Sequence, residues 1–288
     1  MRSSNPVFSR RGFSRTGGYA GFDAPPQAGG PAANPYAGAN PYAQTATATH
    51  PQDRTAAQAP PQYAPQTQRM TMDDVVARTG LTLGTVVVGA VAGWIFLAER
   101  ERMPLAVGAA LIAMVLGFVQ SFKRRPSPAL ILAYAAFEGL FLGALSGQIN
   151  GIPGFEGAPA QAVMGTIAVF VTMLIAYKTR LVRVTARFTR FVLIAAMGFV
   201  LLSLVNVLFM AFGGGEGLGF RSGGPGILFG VVGVVLGALF LALDFKQVED
   251  GIAYGAPREE SWLAAFGLTM TLVWIYLELL RLISILRD

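Results

Sequence analysis

The stretch Phe191-Val-Leu-Ile-Ala-Ala-Met-Gly-Phe-Val-Leu-Leu-Ser-Leu-Val-Asn-Val-Leu-Phe-Met-Ala-Phe212 holds 22 residues and no charge. It is apolar on every side of a helix, not along one stripe, and at 1.5 Å per residue it crosses the roughly 30 Å hydrocarbon layer of a bilayer. A strand of an outer-membrane barrel would alternate polar and apolar residues over about ten positions. The stretch therefore reads as a transmembrane helix. Working outward from it, the chain from residue 80 divides into seven such spans: Gly80–Ala98, Pro104–Gln120, Ser127–Gly147, Ala160–Tyr177, Phe191–Phe212, Gly226–Leu243 and Trp262–Leu286.

Composition agrees with an all-α polytopic membrane protein. Of 288 residues, 53% are hydrophobic and 13% charged, with a mean hydropathy of +0.51; a soluble globule carries about 25% charged residues. The chain has no cysteine and one histidine, His50, which excludes disulfides, thiolate metal sites and cysteine nucleophiles. The net charge of +6 is spread evenly, with seven basic and four acidic residues in 1–78 and fifteen and twelve in 79–288. No basic domain suited to nucleic acid emerges. No H-E-x-x-H or Gly-x-Ser-x-Gly motif occurs, so the sequence does not read as an enzyme and implies no cofactor.

Residues 1–69 form a separate Pro/Gly/Ala/Gln-rich tail. Ten of the seventeen prolines fall in residues 1–68, and such a segment buries too little apolar surface to offset its ordering entropy. We read it as disordered and dispensable for insertion, with the tandem Asn34-Pro35-Tyr36-Ala37 and Asn40-Pro41-Tyr42-Ala43 as low complexity or a docking motif for a protein partner. The seven-helix domain is expected over 70–288. Thr71 is placed to cap its first helix, with Asp73 and Asp74 in the first turn.

Basic residues set the expected orientation. With the tail in the cytoplasm, twelve basic residues face inward: Arg69, Arg78, Lys123, Arg124, Arg125, Lys178, Arg180, Arg183, Arg187, Arg190, Lys246 and Arg258. Five face outward: Arg100, Arg102, Arg221, Arg281 and Arg287. The positive-inside rule then predicts a cytoplasmic amino terminus and an extracytoplasmic carboxyl terminus. The basic loop 178–190 suits contact with anionic lipid. Gly89, Gly93, Gly139, Gly143 and Gly147 recur every four residues, and Gly230, Gly233 and Gly237 follow in the sixth span, which predicts close helix packing.

Charges inside the spans are the candidate functional residues, because an intramembrane carboxylate faces the bundle interior or a wet cavity. Glu138 lies eleven residues into the third span, roughly 16 Å deep by helical rise and near the midplane. Asp244 ends the sixth span. Glu278 and Arg281 share one face of the seventh and read as an internal ion pair, although Arg281 is also a candidate partner for Glu138. Asn206 is a polar link between helices or a cavity residue.

Three stretches carry a family resemblance: Tyr134-Ala-Ala-Phe-Glu138-Gly139-Leu-Phe-Leu-Gly143-Ala-Leu-Ser146, Leu243-Asp244-Phe245-Lys246-Gln247-Val248, and Trp274-Ile-Tyr276-Leu-Glu278-Leu-Leu-Arg281-Leu282. Over about residues 70–288 the chain resembles the Bax inhibitor family of transmembrane proteins in its bacterial form. The resemblance implies a bundle in which six helices surround a seventh, and a pH-sensitive calcium leak. It also implies two aspartates near the cytoplasmic end of the pore. The first matches Asp244, whereas the second falls on Thr271, where this chain has no carboxylate. Two carboxylates in one site repel and share a proton, so a lone Asp244 beside Thr271 loses that basis for pH sensing.

The expected function is thus a pH-modulated calcium leak channel. Asp244, Glu138 and Glu278, with the Thr271 hydroxyl, would offer transient oxygen contacts to Ca²⁺. A non-conducting membrane scaffold or stress-response regulator that uses the tail as its partner arm is the alternative.

Overall fold

In a computed structural model, residues 69–97, 102–213, 219 and 222–288 are described. The expectations for the tail, its repeat and His50, for Arg100 and Arg221, and for most of the 213–224 connection lie outside the described residues. The chain forms seven helices: α1 (Met72–Phe96), α2 (Arg102–Phe122), α3 (Pro128–Asn150), α4 (Ala158–Lys178), α5 (Ala186–Gly213), α6 (Gly223–Ala253) and α7 (Glu260–Arg287). All seven are long and apolar enough to cross a membrane. The α2–α3, α4–α5 and α6–α7 connections share one end of the bundle with the start of α1, and that end is called the basic end below; the opposite end is the far end.

Local chemistry sets the helix ends. Thr71 caps α1 in a capping box, taking the Asp74 N–H at 3.2 Å while the Asp74 carboxylate receives the Thr71 N–H at 3.3 Å. Pro128 and Pro159 occupy first-turn positions of α3 and α4, where a missing N–H removes no helical bond. Gly157 enters α4 at φ +77°, in the left-handed region, and its N–H is received by Asn150 Oδ1 at 2.8 Å.

Two boundaries differ from the sequence reading. The sixth helix does not end at Asp244 but continues nine residues, about 13 Å, to Ala253. A charged residue marks a drop in hydropathy, not a break in the backbone ladder, and the Lys246–Asp250 pair at i,i+4 supports the continuation. Likewise 178–190 is not one loop. Thr185 receives the Phe188 N–H at 3.2 Å, and Arg187 and Arg190 already lie in α5.

The seventh helix is central, and a named contact ties it to each of the other six. Thr269 Oγ1 meets Thr82 Oγ1 of α1 at 3.0 Å. Phe266 packs with Ala113 of α2, and Tyr276 shares a hydroxyl hydrogen bond of 2.6 Å with Ser146 of α3. Leu279 lies against Gly165 of α4, and Trp274 lies 5.8 Å from the Phe199 ring of α5. Thr271 donates to Asp244 of α6. Around this axis α1 and α3 approach backbone to backbone: a Cβ on Gly89 would stand 2.6 Å from the Ala136 carbonyl oxygen, and one on Gly143 would overlap the Ala90 backbone. The glycine spacing is thus a packing seam.

Candidate functional site

Asp244 sits between the fully buried Leu241 and Ala242 on one side and Lys246 on the other. Its Oδ2 accepts a 2.6 Å hydrogen bond from Thr271 Oγ1. One turn earlier on α7, a Cβ at Gly267 would stand 3.5 Å from its Oδ1. The central helix therefore offers this carboxylate one hydroxyl and one gap. Thr271 stands where the resemblance puts a second aspartate, and it faces Asp244 directly.

Asp244 also lines a cavity of about 600 Å³ near the basic end, together with Val184, Thr189, Gln247 and Tyr254. Asp250 and Lys246 line it as well, and the two form an ion pair. Beyond them, the Tyr177 hydroxyl donates to Glu249. The rest of the cavity wall, including Leu193, Phe240 and Leu243, is mainly apolar, so the carboxylates stand as isolated oxygen donors within it.

Toward the far end, the α6–α7 seam changes character. Ile275 is fully buried and fills the space beside Gly237, where an added Cβ would come within 2.5 Å of its Cγ1. Past this plug, Glu278 lies against Gly233 and pairs with Arg281; the guanidinium sits 5.3 Å from the centre of the Phe229 ring. From Thr271 to Glu278 is about 10 Å of helical rise. Asp244 and Glu278 thus share one seam, with Ile275 and Leu241 closing it between them.

Glu138 belongs to a different side of α7. Tyr134, one turn earlier, packs edge-on against Phe266 at 5.1 Å, and Ser146, two turns later, bonds Tyr276. Glu138 is therefore level with residues near Met270, close in height to Asp244. The central helix presents Thr271 to α6, and Val273 and Tyr276 to α3, so it stands between the two carboxylates. Arg281 pairs with Glu278 and lies well beyond Glu138 along α7, which corrects the alternative pairing of Glu138 with Arg281. Glu138 is half-buried. Asn206 is buried in α5, with its amide 3.7 Å from Met210 Sδ.

Several polar contacts were not visible as pairs in the sequence. Ser146–Tyr276 and Thr82–Thr269 join α7 to α3 and α1. At the basic end, Arg78 donates to the Arg258 carbonyl and the Ser261 hydroxyl and covers the Trp262 ring at 5.3 Å, while Arg258 holds Asp74 at 2.7 Å. The signal available was the hydroxyl itself: in an apolar span it must bond its own helix or another one.

The fold and seam define a seven-helix membrane protein built around a central helix, with a pocket holding the Asp244 carboxylate on its α6 side. The family model described as Bax inhibitor 1 like matches residues 5–288, and the chain belongs to that family. The match extends into the amino-terminal segment, beyond the region of about 70–288 over which the sequence resemblance runs. No curated protein matches the chain.

Proposed function

We propose that this protein is a pH-modulated leak pathway for cations, Ca²⁺ foremost, in a bacterial inner membrane, with its basic end in the cytoplasm. The observation that carries this reading is Asp244: a carboxylate about 13 Å inside the end of α6, lining a cavity and hydrogen-bonded to the central helix. An intramembrane carboxylate beside a cavity marks an ion path, and oxygen donors suit a hard divalent cation. Asp244, Glu278 and the Thr271 hydroxyl offer successive contacts along one seam, and Glu138 offers another on the opposite side of α7. Ile275 is the closing element, an apolar constriction of the kind that gates by excluding water. Lys246 and Arg258, near the basic end, pair with Asp250 and Asp74, which offsets part of their positive charge there.

The test is Ca²⁺ entry into vesicles reconstituted with purified protein, measured across pH. The reading expects entry above that of protein-free vesicles, raised severalfold by Ile275→Ala. Entry no greater than in empty vesicles at every pH, for both proteins, would favour the non-conducting scaffold or stress-response regulator, with the amino-terminal segment as its partner arm.

A further inference from the structure

A second cavity, of about 800 Å³, lies between α1 and α4 and shares no lining residue with the Asp244 cavity. Its walls are α1 and α4, and its floor is α3 and the central helix, through Leu272, Val273 and Tyr276. On α1 it runs from Leu83 to Ile95, a rise of about 18 Å. On α4 it begins at Pro159, in the first turn at the far end, and reaches Phe170. It therefore occupies the far half of the bundle, and its length is close to half of the ~30 Å hydrocarbon layer. Trp94 stands at its outer mouth, where an indole suits the interface between acyl chains and headgroups.

The polar groups within it ask nothing of a ligand. Ser146 and Tyr276 bond each other, and Thr166 donates to the Ala162 carbonyl at 2.8 Å. Apart from the Trp94 indole at the mouth, every other lining residue is apolar. The walls include Val87 and Val163, both about half exposed, and in a chain whose helices span a bilayer the medium facing them is hydrocarbon. A headgroup or a peptide would bring polar atoms that this surface cannot satisfy; an alkyl chain brings none.

We propose that this groove holds one acyl chain of a far-leaflet phospholipid, which passes between α1 and α4 and rests on the central helix at Leu272, Val273 and Tyr276. The chain completes the packing around α7 on the side where α1 and α4 stand apart. The site is distinct from the Asp244 cavity, with which it shares no lining residue, although Phe170 and Leu272 pack against the same cluster as Leu241 and Ile275.

The full-length protein is reconstituted in phosphatidylcholine vesicles whose acyl chains carry a mid-chain diazirine, irradiated, digested and mapped by mass spectrometry. Adducts are expected on Leu272, Val273 or Tyr276, as well as on the exposed Val200 and Leu201 of α5 as bulk-lipid controls. Filling the groove by Val163→Trp should abolish the α7 adducts and keep those on α5; Val87→Trp on the opposite wall repeats the test should the first variant misfold. Unlabelled α7 alongside labelled α5 overturns the proposal, as does α7 labelling that persists in both filled variants. Loss of the α7 adducts in the wild-type protein together with a dimer mass would mean that a second copy covers the groove. Labelling of α7 by a diazirine fatty acid but not by the phospholipid would likewise overturn the assignment to a bilayer lipid.

Discussion

The α1–α3 and α6–α7 seams are both lined with glycine, yet they use it differently. Along α1–α3, Gly89, Gly139 and Gly143 let one backbone rest on another, with no charged side chain between. Along α6–α7, Gly230, Gly233 and Gly237 receive side chains of the central helix: Leu282, Glu278 and Ile275. The first seam is a clamp and the second a row of sockets that admits a carboxylate, an ion pair and an apolar plug. A glycine repeat therefore fixes how near two helices come, while the partner residue decides whether the contact is dry or functional.

Breaking the clamp should have the largest effect. Gly143→Leu drives a side chain into the Ala90 backbone, which neither helix can yield, so the effect exceeds the about 1–3 kcal/mol of ordinary overpacking. We expect no monodisperse protein in detergent by size-exclusion chromatography. The sockets should be more forgiving of shape and less so of charge. Arg281→Met strands Glu278 in the bundle; removing one partner of a buried pair costs about 3–5 kcal/mol, visible as a lowered melting temperature in detergent. Adding Glu278→Gln should recover most of that loss, and failure to recover it would mean that Arg281 contributes mainly through its contact with Phe229.

Between these extremes, Thr271→Asp sharpens the polar seam. It places a second carboxylate within hydrogen-bonding range of Asp244, so the two repel and share a proton. Cation flux should then rise with pH between about pH 6 and 8, because raising the pH adds the second charge. A flux-versus-pH curve identical to that of wild type would show that the residue at 271 does not govern the path. Smallest of all, Tyr276→Phe removes the hydroxyl pairing with Ser146 and should lower stability by about 1 kcal/mol, with flux unchanged, since neither hydroxyl lines the Asp244 cavity.

Much of the frame was legible because hydropathy and helical length are local properties. The seven spans, the Thr71 cap and the i,i+3 pair of Glu278 and Arg281 all follow from short stretches of chain. The end of the sixth helix did not, because Asp244, Lys246, Glu249 and Asp250 lower hydropathy while their backbone continues the helix. Nor did the surroundings of Glu138: depth along α3 can be counted from sequence, but which face of α7 it meets depends on how three helices rotate against one another. Ser146 and Tyr276 each stand within a recognisable motif, yet their pairing joins residues 130 positions apart. The juxtaposition of Asp244 with position 271 came from the family resemblance, not from any periodicity.

The central claim is that Asp244 lies on the conducting path, and the initial rate of Ca²⁺ entry into vesicles carrying equal amounts of folded wild-type or Asp244→Asn protein tests it most directly. Asparagine keeps the shape and an oxygen acceptor for Thr271 but removes the charge. The account predicts that entry falls most of the way to that of protein-free vesicles, and further than it does for Glu138→Gln. Entry through Asp244→Asn at the wild-type rate would contradict it.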